Sequence, residues 1–145
     1  MKKDKRLSRC TALQILYSSE VSENSPLESF QYICDQFPDE IYSDSVKEYC
    51  LLLVKNTLDN ISYLDELICN KSKNCEIGRI AMIDNLILRM AISEMLYVND
   101  TPLKVSIAEA IEIAKIFSTK DSGRFVNGIL DAIYQDIIKN KMVTS

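Results

Sequence analysis

The chain of 145 residues contains no histidine, which removes the commonest general base at neutral pH and the commonest metal ligand. Most hydrolytic triads go with it. Only three glycines (Gly78, Gly123, Gly128) and three prolines (Pro26, Pro38, Pro102) are present, too few turn formers for a many-stranded β fold. The longest aliphatic run, Leu51 to Val54, falls far short of the ~20 residues that cross a bilayer, so no membrane association is expected. Five cysteines (Cys10, Cys34, Cys50, Cys69, Cys75) make an odd count with no regular spacing and no CxxC pair. Cys69 and Cys75 have no third or fourth ligand in view, so no metal site is expected, and a reducing cytoplasm fits best. The basic stretch Met1 to Arg9 has the charge of a signal n-region. The apolar stretch behind it is short, interrupted by Gln14 and without a small-residue cleavage site, so it reads as mature sequence.

What is present is charge, unevenly placed. Residues 1 to 9 carry five cations against Asp4, a net +4; residues 20 to 66 carry eleven acids against Lys47 and Lys55, a net −9; the remainder is ten basic against nine acidic. One end attracts phosphate and the middle repels it. A formal charge of −4 is therefore compatible with nucleic-acid binding, because a polyanion responds to a local potential screened over about 8 to 10 Å.

Apolar residues recur at helical spacing in Ile83, Leu86, Ile87, Met90 and Ala91, in Ile107, Ala110, Ile111 and Ala114, and in Phe125, Ile129, Leu130, Ile133 and Ile137. Ser25-Pro26 opens a helix and Pro38 closes it; Thr101-Pro102 breaks the chain; Asp121-Ser122 is expected to cap the last helix. The spacing predicts an all-α fold with seven helices, at about 6 to 21, 26 to 37, 43 to 58, 60 to 70, 78 to 98, 104 to 117 and 122 to 139. The polar stretch Asn70 to Asn74 divides them into two bundles, about 1 to 70 and 75 to 145. No stripe is wide enough to stand alone, so the two should pack as a single domain.

Motifs for chemistry are scarce. Gly123-Arg124-Phe125-Val126-Asn127-Gly128 has P-loop glycine spacing, but Ile129-Leu130 stands where Lys-Ser/Thr belongs, and no strand precedes it. Glu109 and Glu112 lie on a helix beside Lys115, the usual pattern of a solvated, ion-paired face. Glu94 sits on an otherwise apolar stripe and needs a partner: an interior ion pair, a helix-end hydrogen bond, or a contact with another protein. Neither an enzyme nor a cofactor is expected.

Two segments suit RNA. Lys2, Lys5, Arg6 and Arg9 share an arc of about 100° on an ideal helix, continued by Leu13, Leu16 and Tyr17. A frayed, solubilising terminus is the plainer reading of that charge. The second segment is the turn Phe117 to Ser122 leading into Gly123-Arg124-Phe125. There a helix N-terminus, Lys115, Lys120 and Arg124 suit a phosphate, and Phe117 and Phe125 suit unpaired bases. Asp121 or Ser122 caps the helix, accepts a base amino group, or does both.

These segments resemble the NusB family of transcription antitermination factors. The residues that carry the resemblance are Arg9 to Tyr17, Arg79-Ile80 through Ile83-Asp84 to Leu88-Arg89-Met90-Ala91 and Glu94, Glu109 to Lys115, and Asp121 to Asp131. The resemblance implies a non-enzymatic fold of two helical bundles that binds the single-stranded boxA element of ribosomal RNA transcripts. It also implies action with the NusE ribosomal protein in the RNA polymerase antitermination complex. Carried over by position, the RNA surface comprises Lys5, Arg6, Arg9, Gln14 and Tyr17, with Phe117, Asp121, Ser122 and Phe125; the NusE surface lies near Asp84, with Glu94 as a further partner contact. Self-association of some members adds a homodimer to the expected partners. Ala108, where Asn or Asp is usual, and Cys75, where an aromatic is common, depart from the pattern and bear on RNA affinity. The alternative is a helical protein-interaction module with the same fold and weak or no RNA binding. A third reading is a relative of the NusB-like domain that precedes the catalytic domain of certain ribosomal RNA cytosine methyltransferases. It is set aside, since 145 residues hold no cofactor-binding domain.

Overall fold

The computed structural model describes residues 2–72 and 80–139. Seven helices and no strand occupy them: α1 Lys2–Val21, α2 Pro26–Gln36, α3 Asp44–Leu58, α4 Ile61–Lys71, α5 Met82–Tyr97, α6 Leu103–Phe117 and α7 Lys120–Ile138. The expected all-α class is what forms. Cys75, and the start of the fifth helix expected at residue 78, lie outside the described residues.

Local chemistry explains several boundaries. Ser25 takes an extended conformation (φ −69°, ψ 159°) with Pro26 following at the first helical position. Its Oγ accepts the Glu28 N–H at 3.2 Å, and the Glu28 carboxylate accepts the Ser25 N–H at 3.0 Å. This capping box holds the Glu28 carboxyl below its ordinary range, chiefly through the bond from the Ser25 backbone. At α7 the expected cap is displaced by two residues. Thr119 is the N-cap, its N–H donating to Ser122 Oγ at 3.4 Å, so Asp121 lies inside the first turn. α1 starts four residues earlier than its apolar pattern suggests, because the basic residues continue the helix.

Packing separates two compact units, Met1–Leu58 and Asp59–Ser145. The polar stretch expected to mark the division falls instead within the second unit. α4 belongs there because it packs on α5 and α7 and buries Leu64 and Ile68. In the first unit α1 packs on α3 and α2, with Leu13, Ile15, Leu16, Leu53 and Val54 fully enclosed. Each such aliphatic side chain contributes about 1.5–3 kcal/mol of transfer free energy. Ser8 is enclosed too, its Oγ donating to the Val46 carbonyl at 3.1 Å and so tying the basic turn of α1 to α3.

The second unit is built around α5, which is buried on every face from Asp84 to Met95 rather than along the one stripe the spacing suggests. It meets α4, α6 and α7. Arg89 forks onto Asp65 of α4, with Nε and Nη2 each 2.8 Å from a carboxylate oxygen. Lys71 pairs with Asp136 at 2.6 Å. No helix among the described residues is long and apolar enough to cross a membrane.

Candidate nucleic-acid interface

In the first unit the basic turn of α1 stands on an aromatic base that sequence reasoning missed. Lys5 Nζ lies 5.0 Å from the centre of the Tyr49 ring of α3, and the Arg9 guanidinium lies 5.9 Å from it. The signal for Tyr49 was the spacing of Val46, Tyr49, Cys50 and Leu53 along α3, whose other members are core. Lys5 and Arg6 are half-buried, but Arg9, expected to contact phosphate, is only 4% exposed. Its place in the arc is already a packing position, since neighbouring Ser8 is enclosed against α3. Arg9 is therefore a buried support for this face and not part of its outer surface. Lys2 takes part in the helix, and its side chain lies outside the described residues. Two turns further on, Gln14 is half-buried and Tyr17 is 43% exposed, its ring available for stacking.

In the second unit the turn between α6 and α7 is ordered by hydroxyls. Ser122 Oγ donates to Asp84 Oδ2 at 3.0 Å and lies 2.7 Å from Ser118 Oγ and 3.1 Å from Thr119 Oγ1. With one proton of its own, Ser122 gives it to Asp84 and accepts from its neighbours. Ser122, an expected RNA contact, is buried, and its hydroxyl fastens the first turn of α7 to the start of α5. What the turn exposes is Lys115, Lys120, Asp121, Arg124 and Phe125, the last 38% exposed although its spacing grouped it with the core; Phe117 is half-buried. Asp121 is free of capping duty and available to accept a base amino group.

The two carboxylates expected to meet a partner protein are buried. Asp84 is held by Ser122, and Glu94 accepts from Ser106 Oγ at 2.6 Å, the intramolecular alternative for Glu94. Glu109 is buried as well, against its expected solvated role, while Glu112 pairs with Lys115 at 3.2 Å on the exposed face. Ala108 is exposed. Cys10, Cys34 and Cys50 are free thiols and Cys69 is disulfide-bonded. Burial pushes Cys50 up to about 12, which makes it inert as a nucleophile. Among the described residues no group of three or more Cys, Asp or Glu is disposed to hold a metal ion.

Comparison with known proteins gives a consistent answer. The NusB family model matches residues 6–135. Transcription antitermination protein NusB of Chloroherpeton thalassium is 40% identical over 134 residues, covering 92% of this chain, which spans 62% of that relative's length. The protein of the same name from Desulforapulum autotrophicum is 42% identical over 137 residues, 94% of each chain. Among solved structures, T. maritima NusB matches with a TM-score of 0.78 and 30% identity over 92% of this chain and 91% of its own. A chain of a crystal structure of antitermination factors NusB and NusE in complex with dsRNA shares the fold, with a TM-score of 0.81 and 24% identity over 93% of this chain and 98% of its own. Sequence, over nearly the whole chain, and fold agree: the chain belongs to the NusB family.

Proposed function

We propose that this protein is a transcription antitermination factor that binds single-stranded, boxA-type RNA of ribosomal RNA transcripts together with the NusE ribosomal protein, and that it catalyses no reaction. A cytoplasmic location, with the nascent transcript, goes with this reading. The observation that carries it is the exposed set on the α6–α7 turn, Lys120, Asp121, Arg124 and Phe125, at the amino end of a 19-residue helix. Cations, free amides, one carboxylate acceptor and one ring are the groups that unpaired nucleotides need. Lys5, Arg6 and Tyr17 supply cations and a ring in the other unit. Relatives lend support by name: those 40% and 42% identical are transcription antitermination proteins.

A salt-dependent titration of boxA-like RNA against a scrambled strand and a duplex, with and without NusE, tests the reading. Neutralising about three to five phosphates gives a slope of log K on log salt of about −2 to −3.5 for a single strand. The boxA-like strand is expected to bind best, and NusE to tighten it. A flat salt response would favour a protein-interaction module; preference for the duplex would shift recognition from exposed bases to helix shape.

A further inference from the structure

The first unit carries a groove between α1 and α2 that the RNA reading does not use as a whole. It encloses about 500 Å³ and is lined by Tyr17, Val21, Tyr32 and Phe37 over a floor that includes Ile33. Tyr32 and Phe37 are 63% and 52% exposed, and Val21 is exposed beside them. Exposed aromatic rings grouped around a concavity of this size are how proteins present anchoring sites to other chains. The floor is firm: Ser18 and Ser29 join across it at 2.9 Å, and the capping box at Ser25 fixes the start of α2.

The stretch of chain that forms it carries charge of one sign. Between Arg9 and Lys47 there is no lysine or arginine, while Glu20, Glu23, Glu28, Asp35, Asp39, Glu40 and Asp44 all lie in that stretch and are all exposed. Glu23 stands between the lining residues Ser22 and Asn24, and Asp39 follows Phe37 by two. Phosphates would meet a run of exposed carboxylates here, so an RNA strand is disfavoured. A polypeptide with large apolar anchors and flanking lysines or arginines satisfies both the rings and the rim.

We propose that the α1–α2 groove is a docking site for a cationic segment of a partner protein, which inserts aromatic or aliphatic side chains among Tyr17, Tyr32 and Phe37 and sets its basic residues against the acidic rim. The proposal is independent of the RNA reading. Tyr17 belongs to both surfaces, so the occupant and RNA compete for that one ring.

Panning a displayed library of random dodecapeptides on the full chain, with counter-selection on a Tyr32→Ala/Phe37→Ala variant of unchanged thermal stability, tests this. Enriched peptides should carry net positive charge and at least one large apolar residue. A synthetic copy of the leading peptide should bind saturably, lose about tenfold or more in affinity to Tyr32→Ala, and lose affinity to Glu20→Lys/Glu23→Lys, a surface change that keeps the groove's rings. RNA titration should be the same for Tyr32→Ala as for the parent. Enrichment of neutral or acidic peptides, absence of groove-dependent enrichment, or weakened RNA binding in Tyr32→Ala would each overturn the proposal, the last by assigning the groove to nucleotides.

Discussion

The two units place their candidate binding groups by different physical means. In the first, a cation is placed by packing: Lys5 lies over Tyr49, the buried Arg9 supports the same ring, and Ser8 anchors the turn to α3. In the second, the turn is placed by a polar network in which one hydroxyl, Ser122 Oγ, bonds to a buried carboxylate two elements away. Stacking tolerates adjustment, because a ring face attracts a cation over a broad range of positions. A hydrogen-bonded hub does not, because each member has a fixed number of donors and acceptors. The first surface is therefore suited to following a backbone of phosphates, the second to selecting bases.

The largest expected effect separates these two designs. Asp84→Ala removes the acceptor for Ser122 and is expected to cost about 1–3 kcal/mol in urea unfolding. Ser122→Ala combined with it should cost much less than the sum of the two singles. Additive costs would show that the hydroxyl and the carboxylate do not act as a unit. Next is Arg9→Ala, expected to destabilise by about 1–2 kcal/mol through lost packing of its stem and to exceed the cost of Arg6→Ala. Equal costs would return Arg9 to the outer surface.

Smaller still is Tyr49→Leu, which keeps an apolar side chain under Lys5 but removes the ring. RNA affinity is expected to fall by about two- to fivefold, the equivalent of about 0.5–1 kcal/mol for an exposed cation–π contact. Unchanged affinity would mean that the ring does not orient the ammonium. The smallest effect concerns the capping box. Because the folded-state pKa of Glu28 is lowered, its stabilisation is present above the ordinary value of 4.5 and lost as pH falls through the folded one. Thermal melts of Glu28→Gln and the parent should differ slightly at neutral pH and converge in acid; a difference that persists there would point to the side chain's shape rather than its charge.

The helices were legible because their signals are local: Ser25-Pro26, the break at Pro102 and the three-and-four spacing of apolar residues each act within one element. The α7 cap was misread because Thr119, Asp121 and Ser122 are all capping residue types, and only tertiary structure shows that Ser122 is engaged by Asp84. Burial was misread wherever it depends on a neighbouring helix. Glu109 and Glu112 have similar sequence surroundings, yet one is enclosed and the other pairs with Lys115 on the surface. Arg9 follows the same rule, as charge alone cannot reveal that α3 lies against it. Phe125 was open to both readings, apolar in spacing and suited to bases, and only the structure shows its ring exposed.

The seat of Lys5 on Tyr49 bears on how a cation is held at the surface of an acidic protein. A carboxylate partner would fix the ammonium equally well but would cancel its monopole, leaving a dipole whose field dies away within a few ångströms of the surface. A neutral ring orients the cation and leaves that monopole intact. Such a site keeps its long-range pull on an anion, and the cost of immobilising the side chain is met in advance.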